Sequence, residues 1–311
     1  MNVISDIRKI KTRFSNLVLA IGVFDGLHVG HQALIRQAVR RAKIIHGKTA
    51  VLTFFPHPLH VLRPEIYLPL IISLPHRIKL IEELGVDACM VVKFTKSFSR
   101  LSPKAFIEQY LMKRLKPTEV FVGEDFRFGQ NRRGTLEFFK HEGERRGFHV
   151  NIFRPVKEKK GKIGSTLIRQ LIIDGQLKEA SHLLGRPVSI MGKVIVGNRR
   201  GQRLGFPTAN IDPDNIVIPP VGVYAASVMI NRKIYGAMAN IGHRPSFDQA
   251  DSKINVEIHI FDFEKNLYGK EIIVEFIKKI REEKIFFSPQ KLIDQLKKDE
   301  QQARRRLRKY R

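Results

Sequence analysis

One cysteine in 311 residues excludes a disulfide within the chain. That residue, Cys89, lies in the apolar run Val86 to Val92, where packing in a strand is the ordinary role. A reducing cytoplasm is the plain expectation. Long hydrophobic runs are missing too, and none approaches the roughly eighteen residues of a membrane span. The stretch Met1 to Phe14 has no apolar core of the kind a secretory signal needs. Acidic residues are scarce, 30 against 56 Lys and Arg, for a formal charge of +26. Such a balance favours polyanions of any kind, whether nucleotides, nucleic acid or membrane surfaces. The basic end, Arg304 to Arg311, stands beside no groove-reading motif and reads as a solvated surface. Charge alone chooses no partner. Apolar residues still make up 43% of the chain, and its length allows two domains with sizeable cores.

What is present begins at Leu17. An apolar run short enough for a buried strand meets a glycine-spaced turn, Gly22 to Gly26, and then His28, Gly30 and His31. From Gly30 the pattern is helical, with Leu34, Ala38, Ala42 and Ile45 at intervals of three and four until Gly47. The two histidines therefore stand where a strand hands over to a helix. Amides at that end are unpaired and carry partial positive charge, which attracts phosphate. Gly26 and Gly30 let the backbone approach an anion, and two imidazoles suit charge building on phosphate oxygens. A polar turn and half of a metal site are the alternatives. The Glu of a His-Glu-x-x-His zinc motif is missing, so phosphate chemistry is preferred.

Between Leu17 and about Leu184, short apolar runs alternate with helical patterns. Strands are expected over Leu17–Val23, Lys48–Phe55, Ala88–Phe94, Glu119–Val122 and His149–Phe153. Helices are expected over His31–Ile45, Pro75–Leu84, Pro103–Leu115, Thr135–Gly147 and Thr166–Leu184. This alternation implies an α/β doubly wound parallel sheet, which binds ligands beyond the carboxyl ends of its strands. Three segments fall at such ends. Pro56-His57-Pro58 makes a rigid turn that holds His57 in place. Gly123 to Gly129 mixes Phe126 and Phe128 with Asp125 and Arg127, either a wall for aromatic rings and phosphate or a loop with core phenylalanines. Ser165-Thr166 opens a helix that a hydroxyl can cap, and Arg169, one turn along, can aim its fork at phosphate.

Gly185-Arg186-Pro187 marks a boundary, giving expected domains of 1–185 and 186–311. Beyond it the periodicity changes to two over Val188–Val196, Val223–Ile230, Ile234–Asn240, Ile254–Phe261 and Ile272–Ile277. A last helix over about Pro289 to Leu307 would cover an antiparallel β-barrel or sandwich. Gly197, Gly201 and Gly205 lead into Phe206-Pro207-Thr208-Ala209-Asn210, which is neither a Walker loop nor a protein-kinase glycine loop. In an extended segment Thr208 and Asn210 point to one side, offering the hard oxygens that suit Mg²⁺ beside phosphates. Asn255, Glu257 and His259 share the polar face of their strand, a face that ordinarily meets water.

His28-Val29-Gly30-His31 resembles the signature of the adenylyl-transferring nucleotidyltransferases. Its flank, Gly22 to His28, is similar to the bifunctional bacterial riboflavin kinase/FAD synthetase family. The segments around His57, Phe126 and Ser165 follow in that family's order. So do Gly205 to Asn210, Asn240 to Pro245, Val256 to His259, Leu267 to Gly269 and Arg281 to Phe286. The resemblance implies riboflavin kinase and FMN adenylyltransferase activities, with ATP, riboflavin and FMN as substrates and Mg²⁺ as cofactor. It implies no specific nucleic acid and no membrane. By the same likeness His28 and His31 are catalytic in FAD formation, and Glu257 is the general base of the kinase. Gly22, Phe24, Gly30, Ser165, Thr166, Arg169, Gly197 and Gly205 bind nucleotide. His57, Asp125, Phe126, Arg281 and Glu283 bind flavin, while Thr208 and Asn210 hold the metal. Two departures stand out: Gly164 replaces a serine of the phosphate loop, and Gln202 replaces an Arg, with Arg200 or Arg203 as substitutes. Rival readings are an aminoacyl-tRNA-synthetase-like nucleotidyltransferase and a basic nucleic-acid-binding protein.

Overall fold

The computed structural model describes residues 1–7, 14–154, 163–197, 201, 204–243 and 254–308. The chain divides into two compact units, residues 1–68 with 74–164, and residues 69–73 with 165–311.

In the first unit, β1 (Asn2–Ile4), β2 (Val18–Ile21), β3 (Thr49–Phe55), β4 (Ala88–Lys93), β5 (Glu119–Gly123) and β6 (His149–Phe153) form one sheet. Its order is β1-β4-β3-β2-β5-β6, and every neighbouring pair is parallel. β2 is buried throughout, as expected for an inner strand of a parallel sheet. Between the strands run α1 (Val29–Ile44), α2 (Pro58–Leu62), α3 (Leu74–Glu83), α4 (Lys96–Ser99), α5 (Pro103–Phe106) and α6 (Leu136–Arg146). α1 buries Leu34, Ile35, Ala38 and Ala42, the stripe its three-and-four spacing dictates. α6 is capped by Thr135, whose hydroxyl accepts from the Phe138 amide, and it ends at Gly147 in the left-handed region. Leu19, Ile21, Leu52, Met90 and Val122 meet Phe106, Phe128, Phe139 and Phe148 in the core. Full burial of each such side chain contributes about 1.5–3 kcal/mol. From β2 the chain moves outward through β3 to β4; from β5 it moves the other way to β6. The strands β2 and β5 thus flank a topological switch point, and in sheets of this kind ligands bind beyond the carboxyl ends of such strands.

The second unit starts with α7 (Ser165–Ile173) and α8 (Leu177–Leu184). Then β7 (Val188–Ile195), β8 (Ala209–Ile211), β9 (Gly222–Ile230), β10 (Lys233–His243), β11 (Ile254–Ile260) and β12 (Glu271–Arg281) close a barrel in the order β10-β11-β8-β7-β12-β9. All its pairings are antiparallel. Closure decides for the barrel over the sandwich and removes exposed strand edges. Val256, Ile258 and Ile260 of β11 are buried, while Asn255, Glu257 and His259 lie half-buried on the other face. α9 (Pro289–Arg308) lays Ile293, Leu296, Ala303 and Leu307 against Ala225, Met238 and Phe261.

Four details differ from the sequence reading. The single helix expected over Thr166–Leu184 is two, because Gly175 takes a φ of +72° and turns the chain. The turn at Pro56-His57-Pro58 runs on into α2, with Pro58 preset for a first helical position. The helix expected over Pro103–Leu115 becomes a π-helix from Ile107 to Leu115. β1 and β8 went unexpected, since three residues each are too few to show an alternation. Gln202, Arg200, Arg203, Arg244 and Pro245 lie outside the described residues.

Candidate functional site

At the switch point, the loop Gly22 to Leu27 joins β2 to α1. Gly22 donates its amide to the Leu52 carbonyl at 3.1 Å, keeping the loop attached to β3. His28 is the N-cap of α1, and its Nδ1 accepts from the His31 amide at 3.3 Å. A neutral imidazole that accepts at Nδ1 carries its proton on Nε2, which is then a donor. Gly30 is the second residue of α1, in the turn whose amides have no intrahelical partner. The rings of His28 and His31 stack with centroids 3.6 Å apart, and Phe24 meets His31 edge-on at 5.2 Å. Burial, then the adjoining His28 and the Arg77 guanidinium, hold His31 well below the ordinary value of 6.5. His31 is therefore neutral at pH 7, and its Nδ1 is buried without a hydrogen-bond partner among the described residues.

The parallel register carries three more expected residues to the same sheet edge. His57 follows β3 as N-cap of α2, its Nδ1 accepting from the Leu59 amide at 3.2 Å. Asp125 is exposed in the turn after β5, and Phe126 is half-buried. Phe126 stacks on Phe128 at 5.3 Å and tilts against Phe139 at 5.6 Å. Phe128 is core, so the aromatic wall reduces to the outer side of Phe126.

Ser165 and Thr166 open α7 in the second unit. Arg169 is 8% exposed; its Nε donates to the Pro69 carbonyl at 2.7 Å and its Nη1 to the Ser165 carbonyl at 3.4 Å. At least part of its fork thus holds backbone.

On the barrel, β8 pairs with β11 so that Asn210 faces Glu257, and β10 pairs so that Asn240 faces Glu257 from the other side. Asn255 bridges them, with Nδ2 donating to Asn210 Oδ1 at 2.8 Å and to Glu257 Oε1 at 3.2 Å. One amide therefore orients both groups. Gly197 lies against the Asn210 amide so closely that a Cβ would overlap it. Gly205, at φ +82°, makes the tight turn in which the Phe206 amide donates to the Gly201 carbonyl at 2.9 Å. His259 Nδ1 lies 2.9 Å from the Pro207 carbonyl, with Phe206 edge-on at 5.2 Å, which fixes the segment leading to Thr208. Gly197, Thr208, Asn210, Lys265 and Tyr268 line a cavity of about 400 Å³. Glu283 accepts from Asn240 Nδ2 at 3.5 Å and packs on Gly242.

Protein-family models described as FAD synthetase and riboflavin kinase match residues 10–167 and 184–307. The chain is 38% identical over 297 residues to the bifunctional riboflavin kinase/FMN adenylyltransferase of Bacillus subtilis (strain 168), spanning 94% of this chain and 93% of that one. To the Listeria monocytogenes serovar 1/2a protein of the same description it is 40% identical over 294 residues, spanning 93% and 92%. This chain belongs to the bifunctional riboflavin kinase/FMN adenylyltransferase family. A Streptococcus pneumoniae crystal structure described as a macrolide-efflux protein matches with a TM-score of 0.83 and 35% identity, over 97% of this chain and 98% of that one. Among the described residues here, no helix is long and apolar enough to cross a membrane.

For a riboflavin kinase/FMN adenylyltransferase, the geometry sorts the expected residues. It brings together His28 with His31, and Glu257 with Asn210 through Asn255. It commits Arg281 elsewhere: Nε and Nη2 grip both oxygens of Asp299 on α9 at 2.7–3.1 Å, and Nη1 holds the Glu282 carbonyl. Asp299 is fully buried and also accepts from Gln295. Asn255 and Asp299, the partners that orient these expected residues, escaped the sequence reading. Asn255 sat in plain view on the polar face of β11, but only the β8 register reveals its second partner.

Proposed function

We propose that the two reactions of this family run on two different side-chain sets of this chain. Riboflavin and ATP give FMN, and FMN with a second ATP gives FAD and pyrophosphate. In FAD formation the FMN phosphate attacks the α-phosphorus of ATP. That nucleophile is already ionised near neutral pH, so the protein has to align it and stabilise the developing charge. His28, His31 and the first amides of α1 do so, with Gly22, Phe24 and Gly30 shaping the loop. His57, Asp125 and Phe126, at neighbouring strand ends, are the flavin-side residues of this reading.

FMN formation differs because the ribityl hydroxyl is neutral. Glu257 accepts its proton as the oxygen attacks the γ-phosphorus and ADP leaves. Asn255 holds the carboxylate in place. The Thr208 hydroxyl and Asn210 Oδ1 share one cavity, and Oδ1, accepting one hydrogen bond, keeps a lone pair. These hard oxygens fit Mg²⁺, which when bound would neutralise charge on the ATP phosphates. Cytoplasmic residence belongs to the same reading, since the thiol of Cys89 is buried and burial pushes it up to about 11, well suited to a structural role.

The observation that carries this reading is the contrast between stacked imidazoles at a helix N-terminus and a carboxylate steered by an amide. Two incubations with ATP and Mg²⁺, one supplied with riboflavin and the other with FMN, each followed by separation of the flavins, test it. His28→Ala with His31→Ala should stop FAD formation and spare FMN formation, and Glu257→Ala should do the reverse. Loss of both reactions in either folded variant overturns the division.

A further inference from the structure

α3 carries a residue that no motif marks. Arg77 is fully buried, and its Nη1 donates to the Val23 carbonyl at 2.9 Å, the Thr53 hydroxyl at 3.2 Å and the Phe54 carbonyl at 3.2 Å. Thr53 Oγ1 itself donates to the Val23 carbonyl at 2.9 Å. One nitrogen thus ties the end of β3 to the loop that follows β2. That loop holds Phe24 at φ +54° and Leu27 at φ +41°, both in the left-handed region. Such residues are strained and persist only where their surroundings over-determine them. Arg77 is part of that surrounding. Its Nε and Nη2 are buried without hydrogen-bond partners among the described residues, an expensive state for a guanidinium that mere packing would not require.

We propose that Arg77 is a positioning residue for adenylyl transfer. By clamping the Val23 and Phe54 carbonyls it holds Phe24 and the His28–His31 stack in register, and its buried charge reinforces the positive field that receives the triphosphate. The inference rests on the reading that His28 and His31 serve FAD formation. The charge has a second consequence. His31 faces His28 on the cap of α1 and Arg77 on α3, while Asp25 and Cys89 face Arg77. Removing the guanidinium removes a repulsion against protonated His31, so His31 should then protonate at higher pH.

The test uses the full-length enzyme with Arg77→Met, Arg77→Lys and Thr53→Val. FMN made from riboflavin by the same preparation, together with a thermal melt, serves as the folding control. For Arg77→Met the kcat of FAD formation should fall by up to about 100-fold, the scale of a misplaced catalytic group. KM for FMN should change less than kcat. The His31 ring, followed by NMR against pH, should titrate higher in Arg77→Met than in the parent, and Arg77→Lys should restore both readouts in part. Should Arg77→Met not fold, Thr53→Val decides, with an expected several-fold loss in kcat at unchanged melting. FAD formation within twofold of the parent in the folded variant, or an unmoved His31 titration, overturns the proposal. If His31→Ala also retains FAD formation, the underlying reading fails; if only the Arg77 variants are silent, this inference alone fails.

Discussion

The loop after β2 and the outer face of β11 are built from different parts, and the proposed reactions set them different electrostatic problems. The first offers backbone amides and two stacked imidazoles, placed by strand ends and a helix cap, and its proposed nucleophile needs no base. The second uses a carboxylate held by a carboxamide on a strand, and its proposed nucleophile must lose a proton. The comparison teaches that the charge on the attacking oxygen decides what the protein must supply. A phosphate needs a positive cradle; a hydroxyl needs an acceptor. The supports differ too. Left-handed residues hold the first site, whereas regular antiparallel register holds the second.

The sharpest way to break the comparison is Glu257→Gln, which keeps the shape and removes the base. FMN formation should fall by roughly 100- to 10,000-fold, with FAD formation from supplied FMN unchanged. A parallel loss of FAD formation in steady-state assays would erase the contrast. Next comes Asp299→Ala, which leaves the Arg281 guanidinium without its bidentate partner. The expected cost is about 3–5 kcal/mol of stability by urea denaturation, because the remaining cation is largely buried. An unchanged midpoint would show that α9 is held by its apolar face alone. His31→Ala should lower FAD formation roughly 100- to 1,000-fold while riboflavin phosphorylation persists. Equal loss at both reactions would point to a folding defect.

The smallest effect is a pH effect in the first unit. Hydrogen bonds from Arg145 and then Arg146 pull the Glu142 carboxyl down to about 2. A carboxyl lowered on folding stabilises above its unfolded value of 4.5, and that contribution fades as pH falls towards 2. Glu142→Gln should therefore melt about 2–4 °C below the parent at pH 6, and the gap should close in acid. A constant gap from pH 6 to pH 2 would assign the difference to packing instead.

Much of this was legible in the residues. Leu34, Ala38 and Ala42 announced the buried side of α1, and the alternation of Val256, Ile258 and Ile260 announced the inner face of β11. His28 and His31 announced their place because helix-start chemistry is local. Arg281 shows where local reasoning stops. A charge at the very end of a strand looks available, yet its partner is Asp299, eighteen positions on. Arg77 lies hidden for the same reason, since its partners Thr53 and Phe54 belong to β3 and Val23 to the loop after β2.

By itself the sequence determined the periodicities, the strand–helix alternation, the change to period two after Gly185 and the order of the family motifs, all properties of neighbours along the chain. The tertiary structure alone decided that β2 and β5 lie side by side, that the barrel closes, and that Asn255 reaches both Asn210 and Glu257. Those facts depend on which strands pair and in what register. Register is set by many buried contacts acting together, and no short run of residues carries it.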